Sequence, residues 1–99
     1  MNPTKKEKLY WDRLAELGCA ACLSYSKVTN NYISIHHISG RSKKGCHMNV
    51  LALCPKHHMT GKGETIPIHP FKKRFEAKYG TQKQLKIMCD KLLDGDDSI

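Results

Sequence analysis

The sequence has no long apolar run, and its N-terminus is not hydrophobic. No stretch approaches the roughly 20 apolar residues of a membrane-spanning helix, so we expect no membrane protein and no membrane partner. The first residues, Met-Asn-Pro-Thr-Lys-Lys, are polar and predict no secretory signal peptide, which favours a cytoplasmic location. Repeats, linkers and low-complexity segments are also absent, and 99 residues form one domain at most.

Acidic residues are scarce before the last six positions. The chain has 17 Lys and Arg against 9 Asp and Glu, and three of these acids are Asp94, Asp96 and Asp97. The remainder is strongly basic, which suits a polyanion such as nucleic acid, although a solvated basic surface is the alternative. We therefore predict a single domain at residues 1–93 and an acidic, frayed tail at residues 94–99.

Apolar residues are few enough to make the core thin. They amount to 39% of the chain, and a domain this short folds alone only with good packing or with a staple such as a metal. The sequence does supply metal ligands, with five Cys and six His. In a reducing compartment such cysteines indicate metal or catalytic sites before disulfides.

Two capping boxes predict the first and last helices. Thr4 with Glu7 indicates a helix at residues 5–17, and Thr81 with Gln84 indicates one from residue 82 to about 93. The apolar stripe predicted for the first helix comprises Leu9, Leu14 and Leu17 with Trp11 or Tyr10, and that of the last comprises Leu85, Met88, Cys89 and Leu92.

The middle of the chain predicts two strands and two further helices. Residues 32–38 and 50–53 are rich in β-branched and apolar residues, which favours strands. Pro55 fits the first turn of a short helix. Pro70 can open another helix, with Phe71 and Phe75 on one face and Gly80 at its end.

Cys19-x-x-Cys22 and Cys54-x-x-His57 are two half-sites of equal spacing. Together they offer three thiolates and one imidazole, a closed tetrahedral set typical of structural Zn²⁺. We expect this zinc to hold the fold, because a full ligand shell leaves no position for water. Buried, unligated cysteines are the alternative, and a redox role is less favoured because no strand precedes the pair.

The remaining histidines and one asparagine follow the order strand, loop, strand, helix. The segments are Ile35-His36-His37-Ile38, Asn49-Val50-x-x-Leu53-Cys54 and Cys54-x-x-His57-His58. They resemble the motif of HNH nucleases over residues 19–58. The resemblance implies an α+β fold, namely a small zinc-stapled ββα-metal (HNH, or His-Me finger) core with an N-terminal helix and two C-terminal helices.

A wider set of segments resembles the phage recombination-enhancement (Ref-like) nucleases over about residues 19–93. The set is His36-His37-Ile38, Cys46-His47, Leu53-Cys54-x-x-His57-His58, Ile68-His69 and Phe75-x-x-x-Tyr79-Gly80. Small nucleases of prophage origin share the pattern. The resemblance implies a metal-dependent DNA endonuclease that acts on DNA bound by a RecA-type recombinase filament.

The HNH resemblance also implies residue roles. His37 matches the general base that activates water, while His36 and His58 match the ligands of a catalytic divalent metal such as Mg²⁺ or Mn²⁺. Asn49 matches the residue whose amide ties the loop across the two strands and steadies the base. Neighbouring strand residues face opposite ways, so His36 and His37 share one site only if the chain bends after Ile35. A packed core histidine at position 36 and a simple turn residue at position 49 are the alternatives.

His47 and His69 recur in Ref-like sequences, which makes a second zinc site with Cys46, His36 or His58 an alternative. Many HNH motifs carry Asp at the position of His36, and histidine there should admit Zn, Ni, Co or Mn more readily.

The glycine-flanked loop between the strands carries Arg41, Lys43 and Lys44, which can follow a DNA backbone without reading bases. No aromatic stacking cluster is evident, so we expect weak sequence preference. The rival functions are a non-catalytic zinc module that binds nucleic acid and a zinc adaptor for an acidic protein. The histidines beyond the zinc set favour the endonuclease, because a zinc module needs only four ligands.

Overall fold

A computed structural model describes residues 2–95 as a small α+β domain. Its regular elements are helix α1 at Lys5–Leu17, strands β1 at Ser34–His37 and β2 at Val50–Leu53, and helices α2 at Lys72–Tyr79 and α3 at Gln82–Leu93. Two five-residue π-helical turns lie at Cys22–Ser26 and Lys56–Thr60. Among residues 2–95, no helix is long and apolar enough to cross a bilayer. The predicted tail falls largely on residues 96–99, outside the described part of the chain.

Both capping boxes predicted from the sequence are confirmed. The Thr4 hydroxyl accepts a hydrogen bond from the Glu7 amide (3.1 Å), and the Glu7 carboxylate accepts one from the Thr4 amide (2.7 Å). Thr81 and Gln84 make the same pair of bonds at the start of α3. These bonds satisfy backbone donors that the first helical turn leaves unpaired. The sequence pattern of a capping box therefore locates the start of a helix.

The apolar stripe of α1 was predicted with one wrong member. Leu14 is 1% exposed, and Tyr10, Trp11 and Leu17 pack partly buried against the core, but Leu9 is 60% exposed. Positions 10, 14 and 17 recur at the i, i+4, i+7 spacing of one helix face, and Leu9 lies outside that face.

The sheet is a two-stranded antiparallel ladder with regular register. Ser34 pairs with Leu53, His36 with Leu51, and His37 with Val50. The bend expected after Ile35 is therefore wrong, since pairing continues through His37. The first strand is also shorter than the predicted 32–38. All four residues of β2 are buried.

The core lies between β2 and the helices. Phe75 of α2 is fully buried at 0% exposure, and Leu85 and Cys89 of α3 are each 2% exposed. Burying a side chain as large as Phe contributes about 1.5–3 kcal/mol. Tyr10 of α1 donates to the Asp90 carboxylate of α3 (2.5 Å), and Lys86 of α3 donates to the Tyr10 hydroxyl (3.0 Å), so polar contacts also join these helices.

Two apolar positions in the C-terminal half differ from expectation. Phe71 is 44% exposed, because it precedes α2 as its cap instead of standing inside the helix. In α3 the residue that packs against the core near its end is Leu93, whereas Leu92 was predicted. Met88 is partly buried there as expected.

Candidate metal centres and active site

Cys19, Cys22, Cys54 and His57 form a buried group, the closed cluster. Their ligand atoms all lie within 4.8 Å of one another. His57 Nδ1 is 3.5 Å from the Cys19 and Cys22 sulfurs and 3.2 Å from the Cys54 sulfur. The Cys22 and Cys54 sulfurs are 3.8 Å apart. The structure thus brings the two half-sites together, with Nδ1 as the histidine atom that faces the sulfurs.

These distances fit a tetrahedral zinc ion. Bond lengths of about 2.3 Å to sulfur and about 2.0 Å to nitrogen place tetrahedral sulfurs about 3.8 Å apart and nitrogen about 3.5 Å from sulfur. Burial raises the pKa of the Cys19 thiol to about 12. A thiol in such surroundings becomes a thiolate only beside a strong positive charge, which a bound Zn²⁺ supplies. The closed cluster can therefore hold a metal ion, and its ligand set is consistent with zinc.

The backbone around Gly18 positions the first half-site. Gly18 ends α1 at φ 93°, and a Cβ there would lie 2.8 Å from the Asn30 carbonyl oxygen, so glycine is required by both conformation and space. The Cys19 amide donates to that same carbonyl (2.8 Å), and the Asn30 side-chain amide contacts the Cys22 sulfur (3.9 Å). The segment after the first π-helical turn therefore folds back over the cysteines.

A second group, the open cluster, consists of His36, His58 and His69. One ring nitrogen from each lies within 4.8 Å of the others, and the ring centroids are 5.0–5.3 Å apart. His36 is buried, His58 is partly buried and His69 is exposed. Such a set can hold a metal ion on one side and leave positions for water or phosphate on the other.

Three elements supply the open cluster. His36 comes from β1 and His58 from the second π-helical turn. His69 arrives through the returning loop, where the Ile68 amide donates to the His57 carbonyl (2.8 Å) and the His69 amide to the His58 carbonyl (3.1 Å). These backbone bonds dock residues 68–69 on the turn and place the His69 ring beside His58.

Burial favours the neutral form of His36 and His58, which is the form that metal binding needs. It lowers the pKa of His58 to about 4, with the neighbouring His36 and His69 contributing less. Burial also lowers the pKa of His36, and the Gln82 side chain opposes that shift.

His37 lies on the other side of β1 from His36. Its Nε2 is 2.9 Å from His47 Nδ1, and its ring packs edge-on against Trp11 at 5.6 Å between centroids. Trp11 donates its indole N–H to the His47 carbonyl (2.6 Å). His37 Nδ1 is buried and meets no hydrogen-bond partner among residues 2–95. Burial lowers the pKa of His37 the most, and the positive charge of Arg41 lowers it further.

His47 and His69 lie in different groups, whereas the sequence offered both as ligands of a second zinc. His69 belongs to the open cluster, whereas His47 contacts His37 and Trp11. Cys46 is also separate, with its thiol near the Arg41 carbonyl oxygen (3.4 Å).

Asn49 ties the inter-strand loop to the sheet. Its carbonyl oxygen accepts a hydrogen bond from the Ile38 amide (3.0 Å), extending the ladder by one step, and its side-chain amide donates to the Ser39 hydroxyl (3.2 Å). Both bonds hold the chain just beyond His37.

The basic loop borders the histidines. Arg41, Lys43 and Lys44 are all exposed. Arg41 lines a cleft of about 250 Å³ together with His36, His37, His58 and His69. An adjoining cleft of about 240 Å³ shares three of these histidines and is also lined by Lys72 and Gln82. His37 and the open cluster therefore meet at one surface even though His36 and His37 face opposite sides of the strand.

Sequence reasoning missed two polar residues around the open cluster. Gln82 Oε1 is 2.7 Å from His36 Nε2, and Ser34 Oγ is 2.7 Å from His58 Nδ1. Lys72 also acts on His36 through its charge. Gln82 is separated from His36 by 46 positions, so no local spacing could reveal the contact. Its signal is burial, since a glutamine at 5% exposure needs a partner.

One comparison with known proteins bears on these clusters. The family model described as recombination enhancement, RecA-dependent nuclease matches residues 3–94. That range includes every residue of the closed and open clusters, His37, Asn49 and the basic loop. Because the match covers nearly the whole sequence, the chain belongs to the RecA-dependent nuclease family of recombination enhancement.

Proposed function

We propose that this protein is a metal-dependent endonuclease of the HNH type that hydrolyses phosphodiester bonds in RecA-bound DNA. The observation that carries the proposal is the open cluster, which lies beside His37 and Arg41 in one cleft while a separate closed cluster accounts for structural zinc. A zinc module that only bound DNA would have no use for these additional histidines. Membership in a family of RecA-dependent nucleases supports both the DNA substrate and the RecA partner.

The catalytic metal is assigned to His36 and His58, with His69 as a third ligand. When bound, a divalent ion supplies a Lewis acid for the scissile phosphate. Mg²⁺ or Mn²⁺ would serve this chemistry, and three imidazoles also suit Zn, Ni or Co. The order β1, β2 and the His58 turn follows the strand, strand, helix order of a ββα-metal site, which supports the HNH subtype.

His37 is the proposed general base. A base needs a ring nitrogen with a free lone pair, and the bond between Nε2 and His47 occupies only one side of the ring. If His37 Nε2–H donates to His47, Nδ1 keeps its lone pair. Because Nδ1 is buried, the ring must turn toward the cleft to take a proton from water, as the water oxygen bonds to phosphorus and the P–O bond to the leaving oxygen breaks. Neutrality at physiological pH, favoured by burial, keeps that lone pair available.

The remaining residues orient and bind. Asn49 steadies the chain after His37 through its bonds to Ile38 and Ser39. Arg41, with Lys43 and Lys44 in the same loop, contacts DNA phosphates without reading bases. We add the Lys72 side chain to the phosphate contacts, because it lines the cleft beside His36 and His69.

Nicking of supercoiled plasmid by zinc-loaded protein tests the proposal. Mg²⁺ or Mn²⁺ is added, with and without a RecA filament on single-stranded DNA, and His37→Ala is compared at equal zinc content. We expect metal-dependent cutting that falls about 100-fold or more in the variant, the usual contribution of a general base. Tyr32→Ala is the control, since this ring is 79% exposed just before β1. DNA binding without cutting under every condition would instead indicate a non-catalytic zinc module.

A further inference from the structure

We propose that Gln82 and Ser34 are positioning residues, Gln82 by fixing the ring proton of His36 and Ser34 by accepting from Nδ1–H of His58, so that Nδ1 of His36 and Nε2 of His58 face the metal. This inference rests on the proposed function only in taking the open cluster as a divalent-metal site. It adds which ring atom each histidine uses, and it makes α3 part of the metal centre.

The bond from His36 to Gln82 determines the position of one proton. Gln82 Oε1 lies 2.7 Å from His36 Nε2, and a carbonyl oxygen can only accept. His36 Nε2 must then carry the hydrogen, which leaves the lone pair on Nδ1. Both side chains are 5% exposed, so water does not compete well for this bond.

Gln82 is itself held in place. It is the first residue of α3, directly after the Thr81 cap, and its backbone N–H donates to a Glu76 carboxylate oxygen (2.9 Å). The capping box limits movement of this first turn. The side-chain amide that accepts the hydrogen bond from His36 therefore lies in a helix turn that these bonds hold in place.

Ser34 contacts the second ligand, His58. Its hydroxyl oxygen is 2.7 Å from His58 Nδ1, and Ser34 is the first residue of β1, two positions before His36. A hydroxyl can donate or accept, and when it accepts from Nδ1–H, Nε2 keeps the lone pair that a metal needs. His36 and His58 would thus bind through different ring atoms.

Such bonds have a known chemical effect on metal ligands. A histidine that donates its other N–H to an oxygen is held in one tautomer and orientation, and it becomes a stronger ligand. Loss of the acceptor typically weakens metal binding about 10–100-fold. We expect the larger effect at Gln82, which is buried, and the smaller one at Ser34, which is exposed.

Cobalt titration of protein loaded with one equivalent of zinc, enough for the closed cluster alone, tests the inference without reference to cutting. Co²⁺ bound by histidines alone gives visible bands without thiolate charge transfer, which separates the open cluster from the closed one. We expect Gln82→Met to weaken Co²⁺ binding about 10–100-fold and Gln82→Glu to restore it, because a carboxylate also accepts the proton. Lys83→Met, at an exposed neighbouring position of α3, should bind like the original protein.

Nitrogen-15 NMR of the zinc-loaded protein without cobalt reads the ring protons directly. We expect His36 as the Nε2–H tautomer in the original protein and a mixture of tautomers in Gln82→Met. Unchanged Co²⁺ affinity in Gln82→Met, or a His36 proton on Nδ1, would overturn the inference. A protein that shows the expected tautomer but binds no Co²⁺ at the histidines would instead refute the metal site of the proposed function.

Discussion

The two histidine-containing clusters differ in how far water reaches them. Every member of the closed cluster is at most 8% exposed, and three of its four ligand atoms are sulfur. In the open cluster exposure increases from buried His36 to exposed His69, and all ligand atoms are nitrogen. A complete buried shell suits a metal that stabilises the fold, whereas an incomplete one suits a metal that meets a substrate. Variants that remove one ligand at a time test this division of roles.

Removal of one sulfur ligand should have the largest effect. We expect Cys54→Ala to lose zinc and cooperative unfolding, since structural zinc supplies on the order of 10 kcal/mol, comparable to the whole stability of a small domain. Zinc content and circular dichroism during heating measure this. Cys89→Ala is the control, because Cys89 is a buried thiol outside the cluster. A folded Cys54→Ala protein without zinc would contradict the structural role.

Removal of a ligand from the open cluster should affect activity and leave the fold intact. We expect His58→Ala to lower the nicking rate at least about 100-fold, more than loss of a ligand's hydrogen-bond partner costs. Its zinc content and thermal unfolding should stay close to those of the original protein. If His58→Ala unfolded or lost zinc as Cys54→Ala does, the two clusters would not have separate roles.

Acid should destabilise the protein through the open cluster. An unfolded histidine takes up a proton near its ordinary pKa of 6.5, but folded His58 does so only near 4. Above pH 6.5 both states are neutral at His58, and as the pH falls from 6.5 toward 4 the unfolded state alone gains a proton there, so the free energy of unfolding decreases. Melting temperatures of zinc-loaded protein across this range should fall less steeply for His58→Gln. Parallel curves would show that His58 does not contribute.

The smallest effect is expected from the basic loop. Each phosphate contact adds about 0.9 to the slope of log affinity against log salt concentration, so Arg41→Ala should lower that slope by about one. Fluorescence anisotropy with duplex DNA at several salt concentrations measures it. Lys91→Ala, an exposed cation near the end of α3, provides the comparison. Equal slopes for Arg41→Ala and the original protein would remove the loop from the proposed interface.

The sequence predicted elements whose signals are local. The capping boxes of Thr4 and Thr81 located both long helices, because the bonds involved span three residues. The closed cluster was also predictable, since each half-site of Cys54 and His57, or Cys19 and Cys22, carries its own spacing. These patterns need no knowledge of tertiary structure.

Contacts made by long returns of the chain were not predictable in this way. His69 reaches His58 through backbone bonds of a loop, and Gln82 reaches His36 from the start of another helix. Leu9 was misplaced for a related reason: apolar spacing shows which faces a helix could bury, but packing selects one. Closeness in space here depends on the packing of whole elements.

In the second π-helical turn, His57 and His58 are consecutive residues that belong to different clusters. A single residue inserted or deleted between Cys54 and His58 would change the spacing of the ligands along the chain. One such change would therefore damage both clusters. The turn from Lys62 to Thr65 holds no ligand of either cluster. Among natural variants, length differences should therefore accumulate in that turn and be absent between Cys54 and His58.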